Sequence, residues 1–244
     1  MKHINKIIWG LGILSTIAIT VSCTREIPQL ADTQRDFSNS ASVQVFNAVV
    51  KSVRNYVYVD GVPVSGTAIS SGAVFPATAY SIKLTSGEHS FLIKDTLSTT
   101  KQTPITFSQN LEAGKSYTIF TYDTITSVKQ LTVLNNIVIP TDTTAQMRFA
   151  NFIYNTTPVP NVDVYSTKKG LATPIFSNVA TNTVTNFIPY PSGITDTFYV
   201  YSSGTVSPLL ATTKVNSLTR TRSYTTVYSG SFKGTKLLST FANY

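Results

Sequence analysis

Residues 80–94 read YSIKLTSGEHSFLIK, and this stretch decides the fold class. Tyr80, Ile82 and Leu84 alternate with Ser81 and Lys83; beyond Ser86-Gly87, His89, Phe91 and Ile93 alternate with Ser90, Leu92 and Lys94. A period of two sends successive side chains to opposite faces of an extended strand. The pattern recurs over Lys115–Tyr122, where Tyr117 and Ile119 alternate with Thr118 and Phe120. Turn signals separate the runs at Asp60-Gly61, Ser86-Gly87, Ala113-Gly114 and Asn135-Asn136. Glycine admits positive φ there, and Asp or Asn supports the turn. The composition agrees: 13 Tyr, 13 Phe and 65 Ser plus Thr (27 and 38) favour strands over disorder. With only 12% charged residues and no Ala/Glu/Lys/Leu-rich stretch, a coiled coil or helical bundle is disfavoured.

The same material occurs twice. Val43-Gln44-Val45-Phe46-Asn47 resembles Met147-Arg148-Phe149-Ala150-Asn151, and Val57-Tyr58 resembles Val164-Tyr165. Thr85-Ser86-Gly87 resembles Pro191-Ser192-Gly193, and Ser116-Tyr117-Thr118 resembles Ser223-Tyr224-Thr225. Order is kept while the offset moves from 104 to 107, so a short insertion near Asn155–Pro160 is expected. Two homologous modules follow, residues 42–140 and 145–244, joined near Pro140–Thr144. In the second, strands are expected over Asn161–Tyr165, Val184–Ile188, Thr195–Tyr201, Arg222–Tyr228 and Thr235–Phe241. About seven strands per module fit an antiparallel β-sandwich. The last residues, 241–244, read either as a native final strand or as a strand donated to a neighbour.

The amino-terminal segment reads as an address. Lys2 and Lys6 precede an apolar run from Ile7 to Val21, short for a spanning helix and suited to a secretory leader. It ends in Thr20-Val21-Ser22-Cys23, which resembles a bacterial lipobox of the Bacteroidota style. The resemblance implies cleavage after residue 22 and acylation of Cys23, the one cysteine of the chain. Lipid chains so attached would hold the protein to a membrane. Thr24 follows, with no Asp to suggest inner-membrane retention, so an outer-membrane lipoprotein is expected, with residues 23–41 as a flexible tether.

Charge is uneven. Residues 42–144 carry seven basic and six acidic residues, net +1; residues 145–244 carry eight basic and two acidic, net +6. A basic half suits an anionic glycan, an anionic surface or an acidic envelope protein. No nucleic-acid-binding motif is present.

The strand motifs resemble a family of secreted bacterial modules, domain of unknown function 4397. Its pattern V-R-V-x-H-A-S-P-D-A-P-x-V-D-V-Y-V-D-G corresponds here to Val43–Ala48 and Val57-Tyr58-Val59-Asp60-Gly61, and its L-x-A-G-x-x-Y-T to Leu111–Thr118. The second module shows Arg148-Phe149-Ala150-Asn151, Val162-Asp163-Val164-Tyr165 and Ser223-Tyr224-Thr225. Asn replaces the family's His in both modules, the S-P-D-A-P loop is missing, and the second module lacks the Ala-Gly turn. The resemblance implies an all-β chain of two tandem Ig-like or transthyretin-like sandwiches on the envelope. It implies no activity.

Residue inventory argues against an enzyme. His3 falls in the leader, leaving His89, read as a half-buried packing residue beside Phe91. A Ser-His-Asp triad would require His89, yet no Ser lies in G-x-S-x-G, and a His-rich metal site cannot be built from one His. Asp60, Glu88 and Asp95 are the acids that could approach one another. No phosphate-binding Gly-rich loop follows a strand, and no cofactor is implied. Two function classes remain. One is a non-catalytic binding or scaffolding module whose end loops offer Tyr154, Lys168, Lys169, Tyr190 and Arg220 to a ligand, although Tyr190–Gly193 also reads as a plain turn. The other is a fimbrial-type structural subunit assembling through exposed strand edges.

Overall fold

The computed structural model describes residues 37–77, 80–97 and 99–243. The segment expected to be a leader, Cys23 and the expected tether up to Asp36 therefore lie outside the described residues. Among those described there is no helix. The first module contains β1 (Ser40–Asn47), β2 (Asn55–Val59), β3 (Val62–Pro63), β4 (Ala73–Phe75), β5 (Ile82–Thr85), β6 (Gly87–Asp95), β7 (Ile105–Leu111), β8 (Ser116–Tyr122) and β9 (Lys129–Leu134). The second contains β10 (Ala145–Asn151), β11 (Val162–Ser166), β12 (Phe176–Val179), β13 (Thr183–Val184), β14 (Ile188–Tyr190), β15 (Asp196–Ser202), β16 (Ala211–Val215), β17 (Ser223–Gly230) and β18 (Lys236–Asn243). β1 thus begins inside the stretch expected to be tether. The single strand expected over Val184–Ile188 is two short ones, β13 and β14.

Each module stacks a five-stranded sheet on a four-stranded one. In the first, the order is β4-β1-β8-β9, with β5 also on β1, against β3-β2-β6-β7. The second repeats it as β13-β10-β17-β18, with β14 on β10, against β12-β11-β15-β16. The sandwiches are antiparallel except for one pair in each: β1 runs parallel to β8, and β10 to β17. The pairings Ser42↔Ser116 and Gln146↔Ser223 put the two modules in structural register, making Gln44 the counterpart of Arg148 and Asn47 of Asn151.

The turns follow local chemistry. Asp60 and Gly61 both have positive φ (51° and 80°) and close the β2–β3 hairpin, as a two-residue loop between twisted strands requires. Ser86-Gly87, by contrast, carries the chain from one sheet to the other, since β5 pairs with β1 whereas β6 pairs with β2 and β7.

Both modules fill their interiors with apolar residues that alternate along the strands. Val43, Val45, Val57, Phe91, Ile93 and Ile119 form the first core, and Met147, Phe149, Val162, Val164, Phe198 and Val200 the second. A third apolar cluster joins them: Phe46 and Phe120 from one module with Phe152, Val227 and Phe241 from the other. Phe46 stacks on Phe241 at 5.5 Å between ring centroids, and Phe120 on Phe152 at 4.8 Å. The described residues accordingly form one compact unit. This seam explains why β1 and β8 are buried on both faces: the polar-looking side of the alternation faces the other sandwich.

Several polar groups inside the seam are matched. The Gln44 amide donates to the carbonyls of Tyr80 and Ala242, each at 3.0 Å, and Asn243 donates to Thr118 at 3.2 Å. Asn47 and Asn151, which replace the expected family His, are buried ties. Asn47 donates to the carbonyl of Ile69 (2.9 Å), and Asn151 to that of Val179 (3.1 Å).

Candidate functional site

The expected insertion after β10 materialises as the wall of a cleft. Seven residues connect Asn47 to Asn55, whereas ten connect Asn151 to Val162. The longer loop, Asn155–Val159, lines a cleft of about 330 Å³ together with Tyr122, Asp123 and Lys129 of the first module and Asn182 of the second. Its floor is aromatic: Tyr122 lies 5.1 Å from Phe152, tilted by 34°. One rim is charged, with Lys129 Nζ 2.7 Å from Asp123 Oδ2. The hydrogen bond from Lys129 to Asp123 raises the ammonium's pKa. Asp123 and Asn182 both hold positive φ (77° and 59°), a backbone shape for which Asp and Asn are the suited non-glycine residues.

Tyr154 is half-buried at this cleft, and its backbone is pinned on both sides. Its N–H donates to Gly230 O (2.9 Å), and its carbonyl accepts from Phe232 N–H (2.8 Å). Gly230 has φ +91°, and a Cβ there would collide with the Thr235 carbonyl oxygen, so only glycine fits. Asn155 braces the loop by donating to Thr157 Oγ1 (2.8 Å) and its carbonyl (3.1 Å).

The remaining expected contacts gather at the opposite end of the second sandwich. Lys168, Lys169 and Arg220 are exposed there, on turns around the start of β15 and the end of β16. Tyr190 is the correction: it is 1% exposed and offers no surface to a ligand. It pairs with Ala145 on the inward face, and its hydroxyl donates to Asp196 Oδ2 and lies 2.6 Å from Ser166 Oγ. Burial, with the bond to the Asp196 carboxylate, raises the phenol's pKa. Asp196 is buried too, yet donors from Ser166, Tyr190, Thr197 N–H and Lys168 N–H outweigh that burial and lower its pKa. The Ser166–Tyr190–Asp196 cluster is thus a turn-holding network beneath the lysines.

His89 is more than a packing residue. It is buried, with Nδ1 2.6 Å from Asp60 Oδ2 and Nε2 2.8 Å from Thr85 O. Burial opposes its charge, but the bonds to Asp60 and Thr85 outweigh it and raise the pKa. Asp60 also accepts from Ser90 N–H (2.9 Å), and Asp95 accepts from Leu97 N–H (2.8 Å). Among the described residues no three His, Cys, Asp or Glu side chains converge as a metal site. The carboxy-terminal stretch is a native strand, with β18 paired to β17 from Ser223↔Asn243 to Gly230↔Lys236.

Residues 41–165 match the family described as Domain of unknown function (DUF4397). The chain belongs to this family. The DUF4397 match spans the whole first sandwich and reaches β11 of the second. Among solved structures, the chain is similar to the CBMbc module (family CBM26) of Eubacterium rectale Amy13K, crystallised in complex with maltoheptaose. Identity is 13%, the alignment covers 82% of this chain and 95% of that one, and the TM-score is 0.27. No curated protein matches the sequence.

Proposed function

We propose that this protein is a non-catalytic binding module, held at the outer membrane by lipid on Cys23, and that the Tyr154 cleft takes a polar ligand of the glycan class. The observation that carries the reading is the position of the insertion. The second module departs in length from the first at Asn155–Pro160, and that loop walls a cleft to which both modules contribute. Its chemistry suits a sugar. Tyr122 and Tyr154, both half-buried over the buried Phe152, supply apolar ring faces, while Asp123, Lys129 and Asn182 supply acceptors and donors for hydroxyl groups. Calorimetric titration of the soluble chain, without residues 1–22 and with Cys23→Ser, against hits from a neutral glycan array is the test. Tyr154→Ala should weaken binding about tenfold, equivalent to ~1.4 kcal/mol. Affinity unchanged in both Tyr154→Ala and a chain with the 155–160 loop shortened by three residues would reject the cleft. For the anchor, the native product should carry lipid on Cys23, and Cys23→Ser should move the protein into the soluble fraction.

A second reading rests on the gathering of Lys168, Lys169 and Arg220 at one end. Those cations would meet an anionic envelope surface, a contact that weakens as salt rises, because exposed charges are screened within about 8–10 Å at physiological ionic strength.

A further inference from the structure

Arg148 is a buried cation without a counter-ion among the described residues. It lies on β10 at the seam and is 2% exposed. Its Nε donates to Thr225 Oγ1 (2.8 Å), and its Nη2 to Asn135 Oδ1 (2.6 Å) and Thr118 Oγ1 (3.3 Å). Its guanidinium carbon sits 4.6 Å from the centroid of the Phe187 ring. All these partners are neutral, and neither ion pair found among the described residues includes Arg148. Of the five N–H donors of a guanidinium, those on Nη1 make no hydrogen bond among the described residues. Burial pushes the pKa down to about 9, so the group is still charged at neutral pH. A buried charge is ordinarily paired, since removing it from water is costly.

The counterpart position shows what the seam alone requires. There Gln44, neutral and equally buried, gives its two amide protons to the carbonyls of Tyr80 and Ala242. The fold is satisfied by an uncharged amide at that place, so the positive charge on the second copy is an addition. Beside it a groove of about 360 Å³ opens between the modules, lined by Arg148, Gln146, Asn186 and Phe187 from one side and Asn136 and Val138 from the other. Its volume lies within the ~300–1,000 Å³ of small-ligand sites. Val138 is 69% exposed, an apolar surface left at the rim.

We propose that this groove binds a carboxylate-bearing sugar of hexuronate size, its carboxylate seated against the Arg148 guanidinium. Planar N–H pairs match carboxylate geometry, and a carboxylate supplies the charge that Arg148 lacks. The amides of Gln146, Asn136 and Asn186 face the hydroxyl groups, and Val138 covers one ring face. The site is separate from the Tyr154 cleft, so Tyr154→Ala leaves it intact.

The test is thermal denaturation and calorimetry of the soluble chain with sodium D-glucuronate, D-glucose, sodium acetate and sodium chloride, at matched ionic strength where salts are compared. At ten times its dissociation constant, glucuronate should raise the midpoint by ~3–6 °C. Glucose and chloride should not raise it, and acetate should bind at least tenfold more weakly. Arg148→Gln, which installs the residue of the first module, should abolish the glucuronate response. Asn186→Glu keeps Arg148 and places a fixed carboxylate at the groove, so it should weaken glucuronate at least tenfold and raise the unliganded midpoint. Glucose equal to glucuronate, acetate equal to glucuronate, or wild-type binding by Asn186→Glu would each overturn the proposal.

Discussion

Phe46 of the first sandwich stacks on Phe241 in the last strand of the second, their ring centroids 5.5 Å apart. The first and last described strands are thereby locked together, and neither module presents a water-facing outer sheet at the seam. Unfolding should be one cooperative transition in calorimetry. Phe46→Ala should lower stability by about 3–5 kcal/mol in urea titration, the range for large-to-small aromatic truncation in a core. Two resolved transitions, only one of them moved by Phe46→Ala, would contradict a shared core.

The His89–Asp60 pair makes stability depend on pH with a defined sign. His89 has a folded pKa above its reference of 6.5, so its contribution is complete below that value and is lost as pH rises through the folded pKa. The Asp60 carboxylate has a folded pKa below 3.8, chiefly through its bond to His89, so its contribution exists above 3.8 and is lost as pH falls through the folded value. The pair is strongest between those limits. The fall in melting temperature from pH 6 to pH 8 should be smaller in Asp60→Asn than in the parent. In the soluble chain His89 is the sole imidazole of the native sequence, and its proton NMR titration should give a midpoint above 6.5. A midpoint below 6.5 would show that desolvation dominates instead.

Tyr190→Phe removes one hydroxyl from the buried cluster with Ser166 and Asp196. Asp196 loses a donor while remaining buried, a loss of about 1–3 kcal/mol. Because Tyr190 supports the turn from within, ligand affinity should be unchanged at temperatures where the variant is folded. Isothermal titration beside a urea melt separates the two effects.

Gly230→Ala should cost about 1–3 kcal/mol, because it forces alanine into φ +91° against the Thr235 carbonyl. It should also disturb the cleft, since Gly230 O holds the Tyr154 N–H. Altered amide shifts confined to 152–157 and 229–236 would locate the disturbance; unchanged shifts at Tyr154 would dissociate the two.

The sandwich architecture was legible because inward positions alternate cleanly on strands with one wet face, as along β6, where His89, Phe91 and Ile93 are buried. The drift in repeat offset foretold the loop that walls the cleft. Other features were hidden for physical reasons. Thr118 and Phe120 share the face opposite Tyr117 and Ile119, and nothing local announces that a second sandwich covers it. Arg148 looked like an ordinary strand arginine; only its alignment with Gln44 marks the added charge, and only packing makes that charge costly. Tyr190 read as a loop aromatic because Pro191-Ser192-Gly193 follows it, but strand pairing with Ala145 carries its ring inward.

The double burial of β1, β8, β10 and β17 bears on how such a protein can change over time. A substitution in those four strands must suit two interiors at once, so they are expected to be the slowest to diverge. The Asn155–Pro160 loop answers to an interior only at Val159, which packs against the second core. Sequence change can therefore be sampled there in one copy while its twin preserves the frame.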